Sequence, residues 1–385
     1  MVNVFVKKTH VKMLLDGYCW AFRRHLVDQG QLALIERGQW VSVYSEAGEY
    51  LGAGTFDMHS EIMLRIFTKS RQPSDQVIFY HLKVALLKRE AWFDRPFYRW
   101  VYAEADGLPG CVIDRFGEYV SVALTTHGMW RLRQVLIEAI GRLISCAGMV
   151  VRFDSRQAKE EGANFLPEMI GKIPKVIPVW ENDRLYFTEL EQSQKTGWYY
   201  DQRANHTWVA KHVLKGQAVL DLFSYQGGFA LGCALKGANV TLVDQSINAL
   251  KMARYAFDHH GLQGEFVCAD VFDWLSKPQA LFDVVILDPP AMVTHKAHFH
   301  RGAGAYQRLI GQCLSLLREN GVFVFASCSS HVKMQHMVQW VLALAKEKNR
   351  RIRLIEQKEH DLDHPVPEFL SSMAYLKCCF WMLDN

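Results

Sequence analysis

The sequence predicts an α/β protein, with a parallel sheet flanked by helices in the C-terminal half, preceded by a small β-barrel and a small α+β domain. Short apolar runs alternate with helical patterns from about residue 186, which is typical of a parallel sheet with right-handed crossovers. Tightly spaced β-rich runs fill the first 72 residues, and a mixed pattern lies between. A length of 385 residues fits two or three domains, and we predict them at 1–72, 73–185 and 186–385.

Composition excludes several classes of protein. Half of the residues are hydrophobic and 22% are charged, so the chain is neither disordered nor collagen-like. We predict no membrane span and no signal peptide, because no apolar run reaches ~18 residues and no cleavage site follows the N-terminus. The nine cysteines form no CxxC pair, which argues against a disulfide framework or a metal site and favours a reducing cytoplasm. The net charge of +4 is too small to indicate a nucleic-acid substrate by itself.

The first two segments carry strand and turn signals. Alternation at residues 40–44, followed by a turn signal at 46–49, predicts a hairpin, and strands this short are typical of a small barrel. Residues 72–93 predict a linker and an amphipathic helix. The middle segment predicts a helix at 129–145 and strands at 100–104, 111–115, 119–124 and 149–153.

The third segment predicts five parallel strands and a closing β pair. The parallel strands are expected at 218–223, 240–244, 265–268, 282–288 and 322–327, and the closing pair at 353–357 and 374–383. Open parallel sheets bind ligands at the carboxyl ends of their strands, so residues at these ends are the candidate site.

A glycine-containing turn follows the first parallel strand and leads into a helix. It offers free N–H donors to a ligand, although many ordinary strand-to-helix turns also contain glycine. Asp244 ends the second strand, where a carboxylate can accept both ribose hydroxyls. Asp270 follows the third strand and can accept from an adenine amino group. The residues predicted to bind the cofactor here are Phe223, Ser224, Tyr225, Gly227, Gly228, Asp244, Gln245, Asp270 and Val271.

The fourth strand ends in Asp288-Pro289-Pro290. A nicotinamide enzyme would share the glycine turn and the ribose aspartate, but it would normally show GxGxxG and has no use for Asp-Pro-Pro. The complete series resembles class I S-adenosylmethionine-dependent methyltransferases, whose Rossmann-like sheet also closes with an antiparallel hairpin. The resemblance implies S-adenosylmethionine as the cofactor.

Cys328 stands at the predicted end of the fifth strand, beside the same crevice. Carbon 5 of cytosine is a poor nucleophile, and addition of a thiolate to carbon 6 makes carbon 5 reactive toward a methyl sulfonium. We therefore predict Cys328 as a nucleophile, although a cysteine is often only a small buried apolar residue. Cys313, Cys378 and Cys379 fall inside helix or strand patterns and are predicted to be structural.

Asp288 is the second predicted catalytic residue, as a hydrogen-bond partner for the base edge or the departing proton. The alternative is a turn residue ahead of two prolines. His331 and His364 lie in predicted loops and could move a proton, but histidines in loops are more often simply solvated.

Several longer motifs carry a more specific resemblance. They are the segments 104–110 (EADGLPG), 113–117 (IDRFG), 195–203 (KTGWYYDQR), 223–229 (FSYQGGF), 288–290 (DPP), 327–329 (SCS) and 363–365 (DHP). Across nearly its whole length, the chain resembles the bacterial ribosomal RNA large subunit methyltransferase I type of 5-methylcytosine enzymes, joined to a PUA-like domain.

The resemblance implies a PUA-like barrel, a central α+β domain and a C-terminal Rossmann-like methyltransferase that modifies a cytosine of 23S rRNA through Cys328. It places the hairpin of residues 195–203 beside the cofactor, so Lys195, Gln202 and Arg203 become cofactor or substrate candidates; the alternative is a structural role within the hairpin. Many family members are dimers, which makes a homodimer one candidate assembly. Two departures stand out: Ala291 and Met292 replace the family's Lys-Phe, and residues 17–20 (GYCW) replace its His-Pro-Trp.

Two other functions remain open at this point. Asp-Pro-Pro also occurs in enzymes that methylate an exocyclic amine of a base, although an aromatic residue usually follows it there, and Ala291 follows it here. A non-catalytic RNA-binding protein is the alternative from another class, and the intact series of cofactor residues argues against it.

Overall fold

The computed structural model describes residues 2–27, 30, 32–153, 166–191 and 196–384. It divides into two compact units. The first unit consists of Met1–Ile177, Glu189–Trp198 and Leu362–Leu370. The second consists of Pro178–Thr188, Tyr199–Asp361 and Ser371–Asn385.

The first unit contains two sheets, ordered β1-β3-β4-β5-β2 and β10-β9-β8-β7-β6, in the part of the chain that is described. The strands are β1 Val2–Val6, β2 Trp20–Phe22, β3 Gln39–Ser45, β4 Tyr50–Phe56, β5 Ile62–Thr68, β6 Phe97–Tyr102, β7 Cys111–Phe116, β8 Tyr119–Leu124, β9 Gly148–Phe153 and β10 Glu168–Gly171. The helices are α1 Lys8–Leu15, α2 Ser74–Trp92, α3 His127–Arg131 and α4 Arg133–Leu143.

Local sequence explains the long helix α2. Pro73 precedes it, Asp75 lies in its first turn and Arg89 in its last, as the helix dipole favours. Apolar residues at helical spacing, including Ile78 and Leu82, are buried against the second sheet. The helix predicted at 129–145 is in fact two helices, α3 and α4, because Leu132 has a backbone conformation (φ −88°, ψ 3°) that interrupts the α-helix.

A buried ionic cluster ties the ends of the first unit together. The Arg89 guanidinium is fully buried and donates to both carboxylate oxygens of Asp106, at 2.6 and 2.7 Å. It also donates to the Asp363 carbonyl at 2.9 Å, and the Asp363 carboxylate accepts from the Arg99 backbone N–H and from His364. A residue near the C-terminus therefore completes the core of the N-terminal unit.

The second unit is built on one large sheet, ordered β15-β14-β13-β16-β17-β19-β18. Its strands, with a separate hairpin β11–β12, are β11 Ile177–Glu181, β12 Arg184–Thr188, β13 Ala218–Leu222, β14 Asn239–Asp244, β15 Glu265–Cys268, β16 Phe282–Leu287, β17 Leu317–Ser327, β18 Arg351–Lys358 and β19 Lys377–Asp384. The helices are α5 Arg203–His212, α6 Gly228–Ala234, α7 Ile247–His259, α8 Val271–Leu275, α9 Phe299–Leu316 and α10 Met334–Glu347.

Strands β13 to β17 pair in parallel, and β19 closes the sheet antiparallel to both β17 and β18. The predicted parallel sheet with a closing antiparallel β pair is confirmed. The hairpin β11–β12 belongs to this unit, since Phe187 packs edge-on against Tyr255 of α7 and the Tyr186 hydroxyl donates to the Gly228 carbonyl. The predicted boundary after residue 185 falls inside β12, and the three domain boundaries stay predictions. Among the described helices, none is long and apolar enough to cross a membrane.

The close backbone approach at Gly54 generates a stability prediction. A Cβ at this position would lie 1.9 Å from the carbonyl oxygen of Arg65 on the neighbouring strand. We expect Gly54→Ala to destabilise the first unit by about 3 kcal/mol, because backbone atoms must move. Gly141→Ala is the matched control, since open space surrounds Gly141 in α4 and alanine favours a helix. Urea unfolding midpoints compare the two, and equal midpoints would contradict the prediction.

Candidate active site at the carboxyl ends of the parallel strands

The loop between β13 and α6 has a strained backbone. Phe223 and Tyr225 have positive φ values of 60° and 49°, a region that costs a non-glycine residue about 1–3 kcal/mol. The backbone N–H groups of Phe223 and Ser224 both donate to the Val243 carbonyl, at 2.9 and 3.2 Å. The neighbouring strand thus holds the loop in a conformation that it would not adopt alone, which is common at binding sites.

Asp244 fastens this loop from the end of β14. One carboxylate oxygen accepts from the Tyr225 backbone N–H at 2.8 Å, and the other accepts from the Ser246 N–H at 2.8 Å. Each carboxylate oxygen can accept more than one hydrogen bond, so capacity for two hydroxyl donors remains. Its prediction as the ribose ligand therefore fits the structure, and the same side chain also shapes the loop.

Three buried polar atoms beside the loop have no hydrogen-bond partner within the described residues. They are Asp221 Oδ1, Ser224 Oγ and Gln226 Oε1. Burial, with smaller contributions from the charges of Asp288 and Asp244, raises the pKa of the Asp221 carboxyl well above its ordinary value. Buried polar groups normally have partners, so this set fits a polar ligand whose cationic donor would pair with Asp221. The sequence analysis did not predict a role for Asp221.

The two glycines of the motif are required for different reasons. Gly227 has a φ of 76° and precedes the first residue of α6, a conformation that glycine adopts without strain. A Cβ at Gly228 would lie 2.5 Å from the ring of His206 on α5. The His206 ring is fixed by a 2.6 Å bond to Glu181. Helix packing thus explains Gly228, and its contact with a cofactor stays a prediction.

The residues after β14 and β15 differ in what they present. Asp270 caps helix α8, with Oδ1 accepting from the N–H groups of Phe272 and Asp273 at 2.8 and 3.1 Å. Its side chain is exposed, as is that of Gln245, so both can meet a ligand. The Val271 side chain lies in the hydrophobic core, so only its backbone could contact a cofactor.

Asp288, at the end of β16, is held by a relay of amides. Its Oδ2 accepts from Gln202 Nε2 at 2.8 Å, and Gln202 Oε1 accepts from Asn205 Nδ2 at 2.6 Å. Gln202 is 4% exposed, so in this arrangement it positions Asp288. The pattern Gln-x-x-Asn at the start of α5 is the sequence signal for this relay.

Arg203 has structural neighbours. It is buried, its guanidinium lies 5.1 Å from the centre of the Tyr200 ring, and Nη1 is 3.9 Å from Asp361 Oδ2. These contacts give it a role in packing, and its contact with a ligand stays a prediction. Lys195 lies outside the described residues, so its predicted role stays untested.

Tyr199 is a site residue that sequence reasoning missed. Its ring packs edge-on against Tyr225 at 5.0 Å between centres. Burial raises its pKa, and the charges of Tyr225, Asp201, Asp288 and Cys328 act in the same direction. The phenol therefore remains protonated and can donate a hydrogen bond at the site. The sequence signal that could have identified Tyr199 is its position within the motif at residues 195–203.

The serines on either side of Cys328 point into the protein. Ser327 and Ser329 are buried, and their hydroxyls lie 3.0 and 2.9 Å from the hydroxyl of Tyr306 on α9. The Tyr306 hydroxyl also accepts from the Met292 N–H at 3.3 Å, so it joins the turn after β16 to the end of β17. This buried cluster, consisting of Tyr306, Ser327 and Ser329, is called the hydroxyl cluster below.

Cys328 directly follows the last residue of β17 and stands between the two serines of the hydroxyl cluster. Its Sγ lies 4.0 Å from the Pro289 carbonyl oxygen, and the side chain is half-buried. The predicted nucleophile thus lies directly against the Asp-Pro-Pro turn. Sequence spacing alone could not show this contact.

The other cysteines and histidines considered in the sequence analysis lie in different surroundings. Cys313, Cys378 and Cys379 are fully buried in α9 and β19, as a structural role requires. His331 is exposed in the turn after β17. His364 lies in the first unit, buried with its Nδ1 2.7 Å from Asp363 Oδ1. Its contacts belong to the ionic cluster of that unit.

Comparisons with known proteins give matches along the chain. A PUA-like domain model matches residues 4–69, and a methyltransferase small domain model matches residues 207–353. The chain is 29% identical to ribosomal RNA large subunit methyltransferase I of Shigella dysenteriae over 393 aligned positions, covering 98% of this chain and 97% of the relative. The resemblance to the large subunit methyltransferase I-like family is confirmed.

Solved structures support the same fold. A protein described as a SAM-dependent methyltransferase from Streptococcus mutans superposes with a TM-score of 0.82 at 20% identity, covering 99% of this chain and 100% of that one. A methyltransferase crystallised with SAH superposes with a TM-score of 0.83, also at 20% identity, with the same coverage. The chain therefore has a PUA-like domain and a methyltransferase domain with the predicted fold.

The hydroxyl cluster generates a prediction about stability. Tyr306→Phe removes the hydroxyl that meets Ser327, Ser329 and the Met292 N–H, and leaves buried polar groups unpaired. We expect a loss of about 1–3 kcal/mol in the stability of the second unit, measured by urea unfolding. Tyr255→Phe on α7 is the control, because the Tyr255 side chain is 52% exposed. An unchanged midpoint for Tyr306→Phe would refute the role of the cluster.

Proposed function

We propose that this protein transfers a methyl group from S-adenosylmethionine to carbon 5 of a cytosine in 23S ribosomal RNA, with Cys328 as the nucleophile. One observation carries the proposal: the Cys328 thiol lies 4.0 Å from the Pro289 carbonyl, beside Asp288 and at the same sheet edge as the glycine loop. A thiol in that position has a use in methylation of carbon 5 and none in methylation of an amine.

The residues at the strand ends fit S-adenosylmethionine. The Asp221 carboxylate would meet the amino group of its methionine portion, and Asp244 would accept the ribose hydroxyls. Asp270, with Oδ1 engaged in capping α8, would use Oδ2 for the adenine amino group. The cofactor supplies an electrophilic methyl sulfonium.

The Cys328 thiolate would begin the reaction by adding to carbon 6 of the cytosine, which makes carbon 5 an enamine-like nucleophile. Carbon 5 would then take the methyl group as the bond between that methyl group and the cofactor sulfur breaks, with S-adenosylhomocysteine as the leaving group, and would later lose its proton to a base. The bond between carbon 6 and sulfur breaks, which restores the aromatic ring and the thiolate. Because Cys328 lies in a crevice, the base must leave its stack to be reached.

Asp288 would hold the cytosine edge. The amide relay through Gln202 fixes one carboxylate oxygen and so orients the group toward the crevice. Met292, in the turn that follows, packs against the hydrophobic core and donates its N–H to Tyr306. An amine-methylating site usually stacks its base on an aromatic residue directly after Asp-Pro-Pro, where this chain has Ala291, so this turn favours chemistry at carbon 5.

The RNA substrate is inferred from the relatives. Ribosomal RNA is named in the relatives that match along 98% of the chain, and PUA-like domains are found in proteins that act on RNA. We therefore assign the methyltransferase domain to the chemistry and the PUA-like domain to placement of the RNA.

The cofactor assignment predicts a loss of affinity in Asp244→Ala. The variant loses hydrogen bonds between a carboxylate and the ribose, which contribute roughly 1.5–3 kcal/mol, so the dissociation constant for S-adenosylmethionine should rise about tenfold to a hundredfold. Isothermal titration calorimetry measures it. Asp258→Ala, at an exposed site on α7, should leave the affinity unchanged. Wild-type affinity in folded Asp244→Ala would exclude this ribose ligand.

The nucleophile assignment predicts a trapped intermediate. RNA with 5-fluorocytosine at the target should form a covalent adduct, because fluorine at carbon 5 cannot leave as the proton does. Cys328→Ala should abolish both the adduct and turnover, with cofactor affinity nearly unchanged. Cys313→Ala and Cys268→Ala, one buried and one exposed thiol, should both retain the adduct.

Mass spectrometry of nucleosides from methylated RNA identifies the product. The expected product is 5-methylcytidine. If Cys328→Ala still formed 5-methylcytidine, Cys328 would be excluded as the nucleophile. A product methylated on nitrogen would favour the Asp-Pro-Pro amine mechanism instead.

A further inference from the structure

Lys377 is a buried lysine in the second unit that the proposed chemistry has not used. It is the first residue of β19 and lies opposite Ser327 in the antiparallel pairing of β17 with β19. Its side chain is 6% exposed, and its Nζ donates to the Ser329 carbonyl oxygen at 2.8 Å. A lysine is almost never this buried unless its charge has a partner, so a buried Lys377 indicates a specific role.

The contact with Ser329 places the Lys377 amine beside Cys328. The amine donates a hydrogen bond to the backbone of Ser329, immediately after the cysteine. The Tyr306 hydroxyl meanwhile hydrogen-bonds to the side chains of Ser327 and Ser329, on both sides of the cysteine. An ammonium has three N–H donors, and this amine makes one hydrogen bond in the described part of the chain. Two donors remain for an anion formed next to it.

We propose that Lys377 positions Cys328 and stabilises its thiolate, an inference that rests on Cys328 being the nucleophile of the proposed function. An adjacent cation is a general means of making a cysteine reactive at neutral pH. Lys377 contacts the chain that carries the nucleophile and is therefore a positioning residue.

The electrostatics of Lys377 agree with this role. Burial lowers its pKa to about 8, and the negative charges of Cys328 and Glu359 oppose that shift. Since a thiolate at Cys328 raises the pKa of Lys377, the ammonium must by reciprocity lower the pKa of the Cys328 thiol. Within the described part of the chain, the groups on other elements that feel a charge at Cys328 include Tyr199, Tyr306 and Lys377, and Asp288 also acts on Tyr199. The two phenols and Asp288 carry no positive charge, so the stabilising charge among these groups is that of Lys377.

The proposal predicts a shifted alkylation profile. The rate of Cys328 modification by iodoacetamide, followed by peptide mass spectrometry from pH 5 to 10, reports the fraction of thiolate in the full-length protein. In Lys377→Met we expect the midpoint to rise by about one pH unit, which lowers the rate at pH 7 by about tenfold. The plateau at high pH should not change, because the thiol stays equally accessible. A merely structural role would instead alter the plateau.

Two further variants complete the experiment. Lys377→Arg retains the charge and should restore the wild-type midpoint, whereas Lys358→Met, on the adjacent strand β18, should leave it unchanged. Should Lys377→Met not fold, Lys377→Gln removes the charge but keeps a donor for the Ser329 carbonyl, and the same shift is expected. A wild-type midpoint in the folded neutral variant, or an equal shift in Lys358→Met, would overturn the proposal.

The adduct with 5-fluorocytosine RNA separates this inference from the proposed function. At pH 7, Lys377→Met should form the adduct about tenfold more slowly, and raising the pH should recover the rate. An adduct in the wild type with no change of midpoint in Lys377→Met would refute the inference and leave the proposed function standing. A shifted midpoint without any adduct would refute the nucleophile while supporting the pairing of Lys377 with Cys328.

Discussion

The site depends on the pairing of one central strand with its two parallel neighbours. Leu222, the last residue of β13, lies opposite Val243 of β14 and Leu287 of β16, and Leu287 lies opposite Phe325 of β17. All four strands therefore end at the same edge, and the next residues of each deliver the loop, the carboxylates and the thiol together. A slip of one residue would turn every buried side chain of a strand to the opposite face, so burial fixes this register.

Two features support the loops at that edge. Asp244 ties the strained backbone at Tyr225 to the end of its own strand, and the hydroxyl cluster ties the Asp-Pro-Pro turn to the segment around Cys328. Both use buried hydrogen bonds between segments far apart in the sequence, which resist rearrangement because a broken bond leaves an unpaired buried group. The ligand-facing atoms are thus held in place before any ligand arrives.

Periodicity and turn residues were sufficient to predict the parallel strands, the closing pair and the candidate residues at their ends, because these depend on local patterns. What they could not predict depends on packing across the fold. The hydroxyl of Tyr306 comes from the middle of a helix, and nothing in its local sequence marks it as a partner of two serines. The sequence pattern predicts that Gly228 binds a ligand, although the close approach of the His206 ring already leaves no space for a Cβ at this position. The prediction of one helix at 129–145 was wrong for a related reason. Leu132 leaves the helical conformation, although no glycine or proline at that position marks a break in the sequence.

The position of Asp363 has a consequence for protein synthesis. The backbone and side chain of this residue complete the buried cluster of Arg89 and Arg99 in the N-terminal unit, yet 264 residues separate it from Arg99. A ribosome therefore releases nearly the whole chain before that core can close. Until then the Arg89 guanidinium of the nascent N-terminal unit lacks one of its acceptors, so a chain truncated before residue 363 would be a natural substrate for chaperones and proteases.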